Sequence, residues 1–244
     1  QSKEIKDKES MGRPSKRVRE MANGFDATKA YTLSEAIAIL KKAPPVKFDQ
    51  TVEVSLQLGV DPRRPEQNVR GVVSLPNGTG KKVRILVFAK GDKVKEALEA
   101  GAEYAGHEEL FEKVSGGWTD FDAVIATPDL MRDVGKLGKV LGPRGLMPTP
   151  KAGTVTTDIA KAVEELKAGK IEFKLDKGAA LQSGVGKISF RDEQLLQNIQ
   201  AYLDAVQKQK PASAKGGLIR SMVVSSTMGP GVKIRKSEFE TALG

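Results

Sequence analysis

The sequence predicts an α+β sandwich with an antiparallel sheet, built from both ends of the chain, and an inserted α/β domain of Rossmann-like type. Three observations carry this. Near the ends, apolar residues alternate with polar ones, as in Val52, Val54, Leu56 and Leu58, the mark of strands with one buried face. In the middle, KVRILVFA and FDAVIATPD are continuously apolar, as strands are when a parallel sheet is covered on both faces. The two passages between these textures, PNGTG and KAGK, both contain glycine.

The elements follow in order. TLSEAIAILKKA predicts a helix with Thr32 as N-cap and Glu35 at capping-box spacing. Leu33, Ile37 and Leu40 share one face, and Pro44-Pro45 ends it. FDQTVEVSLQLGV and NVRGVVSLP predict strands. After Gly80 come the KVRILVFA strand, a helix in GDKVKEALEAG that stops at Gly101, the FDAVIATPD strand and a short helical piece in MRDVGKLGKVLG. TTDIAKAVEELKAG predicts a helix capped by Thr156 or Thr157 and stopped by Gly169. This strand–helix alternation is that of an α/β domain. From Lys170 the alternating texture returns: IEFKLD and VGKISF as antiparallel strands, an amphipathic helix in RDEQLLQNIQAYLDAVQKQK closed by Pro211, then strands in LIRSMVVSSTMG and GVKIRK. The expected division is a charged N-terminal tail over 1–24, a discontinuous α+β domain over 25–78 and 171–244, and an inserted domain over 79–170. Gly78, Gly80 and Gly169 are the expected hinge.

Composition narrows the function. The 244 residues contain 39% hydrophobic residues, enough for a core, and no apolar run approaches the ~18 residues of a membrane span. No cysteine is present, which excludes disulfides, thiolate metal sites and cysteine nucleophiles, and there is a single histidine, which excludes a multi-histidine metal site. The net charge of +9 comes from 40 basic and 31 acidic residues, so a basic face for a polyanion is expected. In the N-terminal stretch, Arg13, Lys16, Arg17 and Arg19 form either a solvated tail or a basic arm on RNA.

GKLGKVLGPRGLMPTPKAGT, residues 135–154, has the glycine and basic content of a phosphate-binding loop. It lacks the GK[ST] ending of a P-loop and the GxGxxG of a dinucleotide fingerprint. Pro143, Pro148 and Pro150 remove backbone donors that a phosphate nest would use. Two readings remain: a rigid surface loop, or an electrostatic contact to RNA through Lys136, Lys139, Arg144 and Lys151. A nucleotide-dependent enzyme stands as the alternative class, to be excluded by titration with ATP and NAD.

The same stretch resembles the signature region of the ribosomal protein L one family. VDPRRPEQNVRG, LPNGTGK, GKIEFKLDK and SSTMGPGVKI agree with it, so the resemblance covers the chain from about Met11 onward, with residues 1–10 as an extension. It implies a bacterial-type, two-domain structural protein of the large ribosomal subunit, joined by a flexible double crossing. Members bind large-subunit ribosomal RNA at the mobile stalk, assist release of exit-site transfer RNA, and in many cases repress their own messenger RNA. No catalysis, cofactor, membrane or obligate protein partner is implied. The expected location is the cytoplasmic ribosome, with an organellar one left open.

By this resemblance the RNA contacts are Lys47, Phe48, Thr51 and Glu53 in KFDQTVEV, and Ser221, Thr227, Met228 and Gly229 in RSMVVSSTMG, with Lys174 as a weaker transfer. The chemistry suits RNA. Lys47 can neutralise a phosphate, and Phe48 offers a stacking face. The hydroxyls of Thr51, Ser221 and Thr227 can meet 2′-OH groups. Glu53 accepts hydrogen bonds, and Gly229 permits close backbone approach. From the residues alone, Phe48 reads rather as the start of a core face and Glu53 as a solvated carboxylate, and Thr227–Pro230 could be only a strand ending in a turn. Leu181-Gln182 stands where many bacterial relatives carry Ile-His. His107 is expected to be an exposed loop histidine at a helix start, Trp118 an anchor for the loop before a strand, and the pairs Glu108-Glu109 and Glu164-Glu165 solvated helix faces.

Overall fold

A computed structural model of the chain describes residues 15–211, 214 and 216–240. Arg13 and the extension over residues 1–10 lie outside the described residues. The architecture is mixed: a four-stranded antiparallel sheet, a two-stranded antiparallel ribbon and a three-stranded parallel sheet.

The four-stranded sheet draws on both ends of the chain. β1 (Thr51–Leu58) lies between β7 (Ala180–Lys187) and β8 (Ile219–Ser226), with β9 (Val232–Lys233) beyond β8. Its inner face carries Val52, Val54, Leu56 and Leu58, all fully buried. Against them pack Leu33, Ile37 and Leu40 of α2 (Leu33–Lys42) and Leu195, Ile199, Tyr202, Leu203 and Val206 of α8 (Asp192–Lys208). The predicted capping box is present in full: Thr32 accepts from the Glu35 amide and Glu35 accepts from the Thr32 amide. The reciprocal bonds hold the Glu35 carboxyl below its ordinary range.

The middle of the chain forms the order β4-β3-β5, from β3 (Ile85–Phe88), β4 (Tyr104–Gly106) and β5 (Ala123–Ala126), all parallel. Side chains of a strand alternate between faces, and here both faces are covered. Leu86, Phe88, Val124 and Ala126 meet Leu110 and Val114 of α4 (Glu108–Ser115). Ile85, Val87 and Ile125 meet Ala97 of α3 (Asp92–Glu99) and Ile159, Ala162 and Val163 of α7 (Ile159–Lys167). That is why these strands lack a polar alternation. Trp118 anchors its loop as expected, edge-on to Tyr104 and Phe121 at centroid distances of 4.9 and 5.4 Å. Burial would raise the Asp122 carboxyl, but bonds from the Lys81 side chain and from the backbone and side chain of Arg84 outweigh it and hold the group below its ordinary range.

Several elements differ from expectation. VGKISF is not a strand to its end: β7 starts earlier, at Ala180, and after Lys187 the chain turns, the Phe190 amide donating to the Lys187 carbonyl. The cap of α7 is Asp158, which accepts from the Lys161 amide; Thr156 instead accepts from the Asp158 amide and sets that cap. Lys16–Asn23 of the charged N-terminal stretch is a helix, α1, capped by Ser15. His107 is not an exposed loop residue. Its side chain is 19% accessible, 3.7 Å from Asp133, and its Nε2 is buried without a hydrogen-bond partner.

The two passages between the parallel sheet and the rest of the chain run side by side. Gly78, Gly80 and Gly169 all have positive φ. At Gly169, with φ +101°, a Cβ would stand 2.5 Å from the Gly78 Cα, so the return strand of the crossing has no room for a side chain there. The first crossing is also tied down from α8. Asn198, fully buried, donates to the carbonyls of Gly78 at 2.9 Å and Val185 at 2.7 Å and accepts from the Asn77 amide at 3.0 Å. Sequence periodicity would place Asn198 on the inner face as an anomaly; its amide answers three backbone groups that would otherwise be buried unpaired. Asn198→Ala is expected to lower stability by about 1–3 kcal/mol, read from urea unfolding. A loss under about 0.5 kcal/mol would show that these backbone groups find other partners.

Candidate nucleic-acid interface

The outward face of the four-stranded sheet is polar along its length. On β1 it carries Thr51, Glu53, Ser55 and Gln57, alternating with the buried set. The register sets Ser225 and Gly184 opposite Glu53, Val223 and Gln182 opposite Ser55, and Ser221 opposite Gln57. Among the described residues no helix packs on these positions as α2 and α8 pack on the inner face; at the Thr51 end, Thr51 and Gly184 line a cavity shared with Lys81, Asp122 and Met147.

At one end of this face, residues 176 positions apart meet. The Thr51 amide donates to the Thr227 hydroxyl at 3.0 Å, and the Thr227 amide donates to the Thr51 carbonyl at 3.0 Å. Thr227 thus extends the ladder by one side-chain bond past the end of β8. Gln50 holds the turn that follows. It is 5% exposed, and its Oε1 accepts from the Met228 amide at 2.9 Å and the Ser226 hydroxyl at 3.1 Å. Gly229 closes the turn through its amide to the Ser226 carbonyl, and a Cβ there would collide with the Ser226 Oγ. A side chain at position 229 would therefore force the Ser226 hydroxyl out of place, whatever approaches from outside.

The turn displays two apolar side chains to solvent. Phe48 is 53% exposed and Met228 is 52% exposed. The core reading of Phe48 is thereby corrected: it precedes β1 and stands outside the buried cluster. Lys47, beside it, is exposed, as is Glu53. So Lys47, Phe48, Thr51, Glu53, Thr227, Met228 and Gly229 gather at one end of the sheet. Ser221 shares the outward face but lies opposite Gln57, four positions beyond Glu53's partner, roughly 13 Å along the strand. Lys174 is exposed on β6 (Lys170–Lys174), opposite Arg70 of β2 (Arg70–Ser74), in the two-stranded ribbon rather than this sheet.

Sequence reasoning missed Gln50 and Lys187, and named Arg17 only within a basic arm, not beside this turn. Arg17 of α1 donates from Nη2 to the Met228 carbonyl at 3.3 Å, with its Nε buried and unpartnered. The basic N-terminal segment is thus seated on the same turn. Lys187, at the end of β7, donates to the Thr51 hydroxyl at 3.0 Å. Its place was hidden because VGKISF reads as continuing strand, which leaves the facing of Lys187 undefined.

The glycine-rich stretch 135–154 is spread over several short elements. Lys136 ends α5 (Met131–Lys136) and pairs with Asp133 at 2.9 Å, holding that carboxyl below its ordinary range. Lys139 lies in α6 (Gly138–Leu141), and Arg144 donates to the Thr119 hydroxyl. Lys151 is exposed in a short 3-10 turn. No phosphate cradle forms here. Instead the stretch meets the two-stranded ribbon: Arg70, paired with Glu172 at 2.5 Å, donates to the Thr149 hydroxyl at 3.0 Å. Among the described residues, no group of three or more His, Cys, Asp or Glu is placed to hold a metal ion, and no helix is long and apolar enough to cross a membrane.

The sheet end at Thr51 thus brings hydroxyls, flanking cations and exposed aromatic and thioether side chains together. Residues 40–230 match the Ribosomal protein L1p/L10e family, and the chain belongs to that family. It is 74% identical over 232 residues to the large ribosomal subunit protein uL1 of Protochlamydia amoebophila, covering 95% of this chain and 98% of that one. Its identity to the protein of that name in Chlamydia pneumoniae is 58% over 229 residues, covering 94% and 99%. The family is one of ribosomal proteins, and the chain is not an enzyme.

Gly229→Ala tests the turn. The added methyl must displace Ser226 from Gln50, so stability is expected to fall by about 1–3 kcal/mol. A melting temperature equal to wild type would show that the turn accommodates a side chain.

Proposed function

We propose that the chain is a structural constituent of the large ribosomal subunit, working on the cytoplasmic ribosome, that binds large-subunit ribosomal RNA at the mobile stalk beside the transfer RNA exit site. The observation that carries this is the meeting of Thr51 with Thr227 beside the exposed Phe48 and Met228. The names of the relatives supply the assembly. The proposed contacts are Lys47, Phe48, Thr51, Glu53, Thr227, Met228 and Gly229, with Ser221 and Lys174 as flanking ones.

The chemistry of the face favours RNA over DNA. Hydroxyls and a carboxylate on a sheet surface can exchange hydrogen bonds with 2′-OH groups. Exposed Phe48 and Met228 can lie against an unstacked base or a ribose. Lys47 adds a phosphate contact. Thr227 retains capacity for this role: its oxygen accepts from Thr51, and a hydroxyl has a second lone pair.

The proposed domains are 25–78 with 171–244 for RNA and 79–170 as the inserted unit, behind an N-terminal segment over 1–24. Gly78, Gly80 and Gly169 form the proposed hinge. The inserted unit, with Lys136, Lys139, Arg144 and Lys151 as secondary contacts, assists release of deacylated transfer RNA. The same RNA face represses translation of the chain's own messenger RNA where that message folds like the ribosomal site. This last part is supported by the family resemblance alone.

Filter binding to a large-subunit stalk RNA fragment, repeated over a range of salt, tests the reading. Lys47→Ala is expected to lower the slope of log affinity against log salt by about one unit. An unaltered slope would remove Lys47 from the phosphate contacts, and absence of wild-type binding would overturn the function.

A further inference from the structure

We propose that Lys187 is a further RNA-contacting residue, which meets a backbone phosphate and presets the Thr51 hydroxyl as a donor to the same RNA. The inference rests on the outward face being the RNA surface.

Lys187 ends β7 directly opposite Thr51. Directly opposed residues of an antiparallel pair project from the same face, so Lys187 shares the outward face with Thr51. Its neighbour Gly186 faces the other way, where a Cβ would meet Leu195 and Phe190 of the core side. The Lys187 ammonium donates to the Thr51 Oγ1 at 3.0 Å and to the Asp49 carbonyl at 3.4 Å. No carboxylate among the described residues pairs with it. The nearby Asp49 carboxylate is taken by the Ser189 hydroxyl at 2.7 Å and the Ser189 amide at 3.3 Å. Lys187 therefore forms no direct ion pair among the described residues, which leaves its ammonium available to a ligand.

Both ends of the side chain are held. The stem packs on the first crossing, its Cγ 2.8 Å from where a Cβ on Gly80 would stand. The head rests on Thr51. An ammonium has three protons; two face protein oxygens, and one remains for a ligand oxygen. A lysine ordered in advance loses less side-chain freedom on binding than a free one. The arrangement also fixes Thr51. Its oxygen accepts from Lys187, which leaves its proton and one lone pair free, and the adjacent positive charge favours donation of that proton. Lys187 and Thr51 together present a cation and an oriented O–H, which matches a phosphate oxygen beside a ribose.

The test uses the full chain and a large-subunit stalk RNA fragment, with binding measured from low to moderate salt. Lys187→Met keeps the stem on Gly80 and removes the ammonium. The expected result is a fall of about one unit in the salt slope, with Lys187→Arg retaining the wild-type slope. Thr51→Val is expected to weaken binding several-fold in the wild-type background and by less in the Lys187→Met background. A purely structural role for Lys187 would move the thermal melt and leave the salt slope unchanged. An unchanged slope together with additive effects of the two substitutions overturns the proposal while leaving the RNA face intact. Failure of the wild-type chain to bind the fragment overturns both.

Discussion

The pairing of β1 with β8 is the constraint on which the interface depends. It brings residues 51 and 227 within hydrogen-bond distance across 176 positions of sequence. Closing so long a loop costs conformational entropy that no local contact offsets. The compensation is apolar burial on the inner face, where Val52, Val54 and Leu56 meet α2 and α8. The outer face is consequently free of core duty. Its hydroxyls, carboxylate and cations are held in place by a ladder whose stability is supplied from behind.

The middle of the chain is accommodated without breaking that sheet. Two strands of chain must leave and return through one place, and Gly169 against Gly78 lets them pass at a distance that excludes a side chain on residue 169. Asn198 then anchors the outgoing strand to β7 through Val185 and Gly78. The crossing thus starts from a fixed point beside the four-stranded sheet. Arg70 to Thr149 adds a contact between the ribbon and the glycine-rich stretch. That stretch, with its basic residues and prolines, resembles a ligand loop in composition. Its geometry is that of short turns packed around Leu141, Leu146 and Met147.

Much of this was legible in the sequence where periodicity and caps speak directly. The buried set of β1, the Thr32–Glu35 capping box, the two-sided burial of β3 and β5, and the long helix closed by Pro211 all follow from local pattern. What was hidden depends on partners distant in sequence. The three residues of β4 are too few to show a period. Gln50, Asn198 and Lys187 are polar residues whose meaning lies wholly in what they bond, and Gln50 and Asn198 look like exceptions to burial until their backbone partners are known. The site residues named from family resemblance were gathered in part by the fold: those around Thr51 and Thr227 cluster, Ser221 lies farther along the face, and Lys174 sits on the ribbon.

The sheet end bearing Phe48 and Met228 is the proposed grip on folded ribosomal RNA. These two side chains are half exposed and belong to no buried cluster, so their truncation separates binding from folding. The most direct measurement is the affinity of the Phe48→Ala, Met228→Ala double variant for a large-subunit stalk RNA fragment, alongside its thermal melt. The expected result is an unchanged melt and at least a tenfold loss of affinity, on the order of 1.4 kcal/mol or more. Wild-type affinity with a wild-type melt would contradict it.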